Sequence, residues 1–144
     1  MMDLGRFLAA APRHGIFAIE HPEFAVLEME AGSEYLDPRA PRVPVITISD
    51  IFAHQCGRGA FSRLLAAIRT ARPDAAIRVV DVGPERFLAG LLRRGFRPER
   101  AADRTLLLWP RREDFGFPGG RGAATVATAS PGITQHPTTN RRTP

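Results

Sequence analysis

The sequence predicts a single α/β domain built on a mixed sheet, followed by an unstructured tail. Three observations lead there. Between residues 43 and 109, short apolar runs of strand character alternate with segments of helical period. The chain has 144 residues, 44% of them hydrophobic, enough for one core and too few for two. Beyond Pro110, apolar content and periodicity stop together. Domain boundaries at 1–110 and 111–144 follow. The second segment, rich in Gly, Ala, Thr, Ser and Pro, buries too little to offset its ordering entropy and is expected to be disordered.

Along the body, residues 3–11 suit a brief helix. Residues 15–20 and 23–30 are two runs with β character, joined by His21-Pro22 as a hairpin. Strict alternation in the second run puts Phe24, Val26, Glu28 and Glu30 on one side and Ala25, Leu27 and Met29 on the other. Residues 32–42, with two acids and two prolines, read as a loop. Residues 43–52 are apolar on both sides apart from Thr47, Ser49 and Asp50, the pattern of a strand covered on both faces.

The spacing then predicts a helix in which Phe61, Leu64, Leu65 and Ile68 make one stripe, Arg63, Arg69 and Arg72 point away, and Pro73-Asp74 ends the run. Residues 77–82 form a β-branched strand. A second helix starts at Pro84-Glu85, a proline at its first position followed by an acid. Phe87, Leu88, Leu91 and Leu92 form its inner face. Arg93 and Arg94 complement its C-terminal dipole, and Gly95 is its left-handed cap. Phe96 and residues 105–109 supply the last strand. The order is β-β-β-α-β-α-β, in which the central βαβ unit must be a right-handed parallel crossover.

Composition excludes several kinds of chemistry. Cys56 is the single cysteine, which rules out an intramolecular disulfide and a cysteine-built metal site and fits a reducing cytoplasm. The chain contains no lysine, so Schiff-base catalysis and a P-loop phosphate contact are excluded. No run of about 18 apolar residues occurs to span a membrane, and residues 1–11 make a poor signal peptide. The net charge of +5 does not imply nucleic acid. Five arginines against Glu113 and Asp114 lie from residue 111 onward, and the body is nearly balanced. Its basic residues form no stripe interleaved with aromatics. His14, His21, His54 and His136 are scattered without ligand spacing.

The most informative segment is Cys56-Gly57-Arg58-Gly59-Ala60-Phe61-Ser62, between a strand and an amphipathic helix. Glycines there allow a tight turn that leaves several N–H groups free at a helix N-terminus, a site for phosphate or diphosphate. A glycine-rich turn that binds nothing is equally compatible with these residues taken alone. A dinucleotide fingerprint is an alternative, with Asp81 about 20 residues on as the ribose-binding acid, but Ser62 stands where its third glycine belongs. Cys56 beside His54 invites a nucleophile reading, although a small turn residue accounts for it.

The segment 57–65, Gly-Arg-Gly-Ala-Phe-Ser-Arg-Leu-Leu, resembles the central motif of the GCN5-related N-acetyltransferases, Gln/Arg-x-x-Gly-x-Gly/Ala leading into a helix. Gly59 aligns with its first glycine, while Cys56 and Phe61 depart from the usual Gln/Arg and Gly/Ala. Residues 84–98 look like the family's second helix and its Gly-Phe turn, here Gly95-Phe96. Asp50-Ile51-Phe52-Ala53-His54 resembles the end of its fourth strand. The resemblance covers 43–109; the N-terminal region is shorter and matches only in strand character.

The resemblance implies the acyl-CoA N-acyltransferase fold and acetyl-CoA-dependent transfer to an amine acceptor. Ile51, Phe52 and Ala53 would hold the pantetheine arm through their backbone. The amides of Gly57, Arg58, Gly59, Ala60, Phe61 and Ser62 would hold the diphosphate. The family's frequent general acid, a tyrosine, falls at Leu91, and Tyr35, the only tyrosine, lies in a loop. Asp50 is the candidate base, with Glu28 and Glu30 as further carboxylates; Asp50 is also placed to cap the turn or bond Arg58. A catalytically weak acyl-CoA-binding protein is the second expectation and a dinucleotide-binding module the third.

Overall fold

The computed structural model describes residues 2–10, 14–99 and 104–110. Among them lie strands β1 (Met2–Asp3), β2 (Phe17–Glu20), β3 (Phe24–Glu34), β4 (Val43–Ala53), β5 (Ala76–Val79), β6 (Arg97–Pro98) and β7 (Leu106–Leu108). The helices are α1 (Leu4–Ala9), α2 (Ala60–Ala71) and α3 (Glu85–Arg93). The strands form one mixed sheet in the spatial order β1-β2-β3-β4-β5-β7-β6. Its parallel pairs are β1–β2 and β4–β5; the other neighbours are antiparallel. The proposed tail, 111–144, and His136 within it lie outside the described residues.

All three helices pack on one face of the sheet. Phe7 and Leu8 of α1, Leu64 and Ile68 of α2 and Leu91 of α3 share one core with Leu27, Met29, Ile46, Ile48, Ile77 and Val79. Chain handedness explains this. β4→β5 and β5→β6 both advance in the same direction across the sheet between parallel strands, so right-handed crossovers place α2 and α3 on the same side. The opposite face holds a smaller cluster, Val43, Val45, Ala76 and Leu107, against which Leu36 packs.

Several local expectations are corrected. β3 runs on through Gly32, Ser33 and Glu34, where a loop was predicted, because β4 pairs with it down to Val43 and Arg78 on β5 holds the Glu34 carboxylate at 3.0 Å. An extra residue in β3 at Ala25 breaks its alternation, since Phe24 faces Ala53 while Val26 faces Phe52. Phe24 therefore joins Leu27 and Met29 in the core rather than Val26 and Glu28 outside. The predicted strand 77–82 stops as a strand at Val79.

On the helices, α1 starts at Leu4 with Asp3 as its N-cap, the carboxylate accepting from the Arg6 amide at 2.9 Å. Pro84 is the N-cap of α3 rather than its first residue. Leu92, expected inside, is exposed, and Gly90 takes a buried position on that helix instead. Gly95 has φ +94°, the left-handed cap that its position predicted. Of the arginines expected to point away from α2, Arg63 is bound to Glu23 and Arg69 donates to the Trp109 carbonyl at 3.0 Å. Arg72 sits 3.5 Å from Asp74.

Candidate functional site

The site begins where β4 and β5 part. They pair from Val45–Ala76 to Ile48–Val79, and the Val80 amide makes the last link to the Ile48 carbonyl at 3.1 Å. Asp81 then adopts φ +53°, a left-handed conformation uncommon outside glycine, and the chain turns away. β4 continues to Ala53. Its register with β3 slips at Ser49, because Glu28 faces Asp50 while Met29 faces Ile48. That bulge re-aims the strand at the point where it loses β5 as a neighbour.

Beside the free stretch opens a cleft of about 400 Å³. Ile51, Phe52 and Ala53 line it from β4, residues 55–57 and 59–62 from the turn and α2, and Pro84, Phe87 and Gly90 from α3. Phe61 and Phe87, both lining it, meet edge to face with ring centroids 5.0 Å apart. Arg86, Arg93 and Arg94 lie on its rim. Arg94 reaches from the end of α3 to the Ser62 hydroxyl at 2.8 Å and lies 5.8 Å from the Phe61 ring centroid.

The turn has the backbone the cleft needs. Gly57 and Gly59 have φ +75° and +77°, and Gly59 is the N-cap of α2 without any side-chain cap. The N–H groups of residues 57–62 donate to no protein acceptor. Several unpaired amides and the positive end of a twelve-residue helix thus meet one cleft. The arrangement can hold an anion by backbone donors, while the apolar walls suit a chain attached to it.

The structure brings Ile51, Phe52, Ala53, Gly57, Gly59, Ala60, Phe61 and Ser62 together around this cleft. Arg58 belongs to the turn but borders a smaller hollow with Glu23, His54 and Arg63. Asp50 is exposed at the start of the free stretch, across from half-buried Glu28, and it neither caps the turn nor bonds Arg58. Glu28 and Glu30 lie on the face without helices, since their neighbours Leu27, Met29 and Ala31 are in the main core. Leu91 is wholly buried. Tyr35 is exposed at the other end of β4, stacked under Arg42 at 5.4 Å. Trp109 is half exposed beside it around a second cavity. Cys56 is exposed in the turn. Among the described residues, no three His, Cys, Asp or Glu side chains gather as a metal-binding group. No helix of the described residues is long and apolar enough to cross a membrane.

Two arginines that the sequence did not single out hold the loops of the cleft. Arg63 donates from Nε to both Glu23 carboxylate oxygens, at 2.9 and 3.1 Å, and from Nη2 to the Arg58 carbonyl at 2.7 Å. The Arg63 hydrogen bond is the first cause holding the Glu23 carboxyl below its ordinary value. Arg104 binds the Val82 carbonyl, the Gly83 carbonyl at 2.9 Å and the Glu85 carboxylate at 2.7 Å, fixing the loop into α3. The absence of lysine was a usable signal: every long cation here is a planar fork able to serve several acceptors.

The second cavity, about 580 Å³, lies on the other face between Glu34, Tyr35, Arg78, Glu99 and Trp109. It is larger, yet its charges satisfy one another. Arg78 binds Glu34 at 2.6 Å and Glu99 at 2.7 Å, and these hydrogen bonds raise its pKa above the ordinary value for arginine. Comparison of the chain with protein-family models, curated proteins and solved structures found no match in any of the three.

Proposed function

We propose that this protein is an acyl-CoA-dependent N-acyltransferase of the GCN5-related kind, carrying an acetyl group to an amine acceptor. One observation carries the reading: β4 runs past its last rung with β5 and stands open beside a cleft that Gly57 and residues 59–62, whose amides are unpaired, also line. Acetyl-CoA would supply the activated thioester when bound. The residues fit it. The free edge of β4 at residues 51–53 suits an amide-bearing arm such as pantetheine, and the turn amides suit a diphosphate. Arg86 and Arg93 add positive charge at the rim.

Asp50, exposed where the strands part, would be the carboxylate that takes a proton from the acceptor amine. Leu91 offers no proton to a leaving thiolate, so that proton comes from water. Full burial of Leu91 favours a second reading on its own account, an acyl-CoA-binding protein with weak catalysis. A dinucleotide module fits less well, because the doubly wound sheets that bind dinucleotides carry helices on both faces and this sheet carries its three described helices on one. A CoA titration followed by thermal unfolding tests the reading. At a hundredfold excess over Kd, CoA should raise the midpoint by about 5 °C or more, and NAD should not. Release of free thiol with an amine panel then separates enzyme from binder, an unchanged rate over buffer favouring the binder.

A further inference from the structure

We infer that Glu23 and Arg63 form a strut that sets the conformation of the glycine turn, which makes them positioning residues for the donor site. The inference rests on the donor-site reading above. Glu23 lies just before β3, 40 residues from Arg63 in sequence. Three links join it to the turn. Its carboxylate takes two donors of the Arg63 fork, Nε and Nη2. Its carbonyl accepts the His54 amide at 3.0 Å, just after β4 ends. The same Arg63 Nη2 that reaches Glu23 also donates to the Arg58 carbonyl at 2.7 Å, between the two left-handed glycines.

The guanidinium therefore sits beneath the turn. A Cβ at Gly59 would lie 3.2 Å from Arg63 Nη1. Arg63 belongs to the first turn of α2, so its backbone is rigid while its head fixes a carbonyl five residues earlier. The turn itself has no side-chain cap and donates none of its own amides from 57 to 62. Apart from chain connectivity, Arg63 is what ties Arg58 down. A turn held this way presents its amides ready-aligned, and ligand binding spends less free energy on ordering it.

The test uses the full chain, CoA as probe, and three readouts: CoA affinity by calorimetry, thermal midpoint, and backbone order parameters of Gly57 and Gly59 without ligand. Arg63→Ala should weaken CoA by about tenfold, as when the competent turn is populated one time in ten. The two glycine order parameters should fall from about 0.85 towards 0.6. Glu23→Gln, the milder change, should move both in the same direction. The exchanged pair, Glu23→Arg with Arg63→Glu, can rebuild an ion pair and recover the midpoint. It should leave CoA weak, because a carboxylate at position 63 cannot donate to the Arg58 carbonyl.

Unchanged order parameters in Arg63→Ala would overturn the strut, and so would full recovery of CoA affinity in the exchanged pair. If wild-type protein ignores CoA, the donor reading fails, whereas the ligand-free order parameters still decide whether the strut orders the turn.

Discussion

The two halves of β4 show how one strand can serve both stability and binding. Over Val45 to Ile48 it has a neighbour on each side, and Val45, Ile46 and Ile48 are almost wholly buried. Over residues 49–53 it keeps β3 and loses β5, and Phe52 is 62% exposed. Sequence character shifts only partly across the break: Val45 to Ile48 are all β-branched, and the open half, after Ser49 and Asp50, returns to the apolar Ile51, Phe52 and Ala53. Pairing decides the difference. A buried strand needs its backbone groups satisfied on both edges, so β4 can leave one edge open only where a cleft faces it.

The largest contrast should be in stability. Ile48→Ala, at the last rung, removes a wholly buried side chain and should cost about 2–5 kcal/mol. Phe52→Ala in the open half should stay within about 0.5 kcal/mol. Urea denaturation of both variants checks this, and comparable losses would remove the distinction between the halves. Next in size is the turn. Gly59→Val forces a β-branched residue to φ +77° and should cost roughly 1–3 kcal/mol while abolishing CoA-induced stabilisation. Asp81→Val sharpens the comparison from the β5 side. A branched residue in that left-handed position should cost about 1–2 kcal/mol, readable in the same denaturation series.

The smallest effect concerns pH. Glu23 and Glu34 titrate below their ordinary value of 4.5, chiefly through hydrogen bonds from Arg63 and Arg78. A carboxyl with a lowered folded pKa adds stability that is complete above the unfolded pKa and lost as pH falls through the folded one. Both groups are partly open to solvent, so the contribution is modest. The thermal midpoint, followed from about pH 6 to about pH 3, should fall at the acid end, and more shallowly in Glu23→Gln and Glu34→Gln.

Much of this architecture was legible in the sequence because its signals are local. The stripe Leu64, Leu65, Ile68 and the Gly95 cap need only their neighbours in the chain. What escaped depends on partners far away. β1 and β6 are two residues long and are strands only because β2 and β7 lie beside them. The bulge at Ala25 reverses the outlook of Phe24 without any glycine or proline to mark it. The extension of β3 to Glu34 depends on Arg78, 44 residues on.

At the site, the glycine turn was readable as a turn, and the positions of Ile51 to Ala53 followed from the resemblance. The parting of the strands was not readable from residues 77–82, which keep their β-branched character beyond Val79. A single left-handed aspartate ends that strand's company with β4, and nothing in the apolar pattern announces it. Arg63 carried the opposite signal. On the helical wheel it belongs to the solvent side, and only the hairpin that brings Glu23 alongside makes it structural.

Amide resonances followed by NMR during a CoA titration test the central claim most directly. The largest shifts should fall on the N–H groups of residues 57–62 and on 51–53, with the paired half of β4 unmoved. Shifts confined to the cavity around Arg78 and Trp109, or none at saturating CoA, would contradict it.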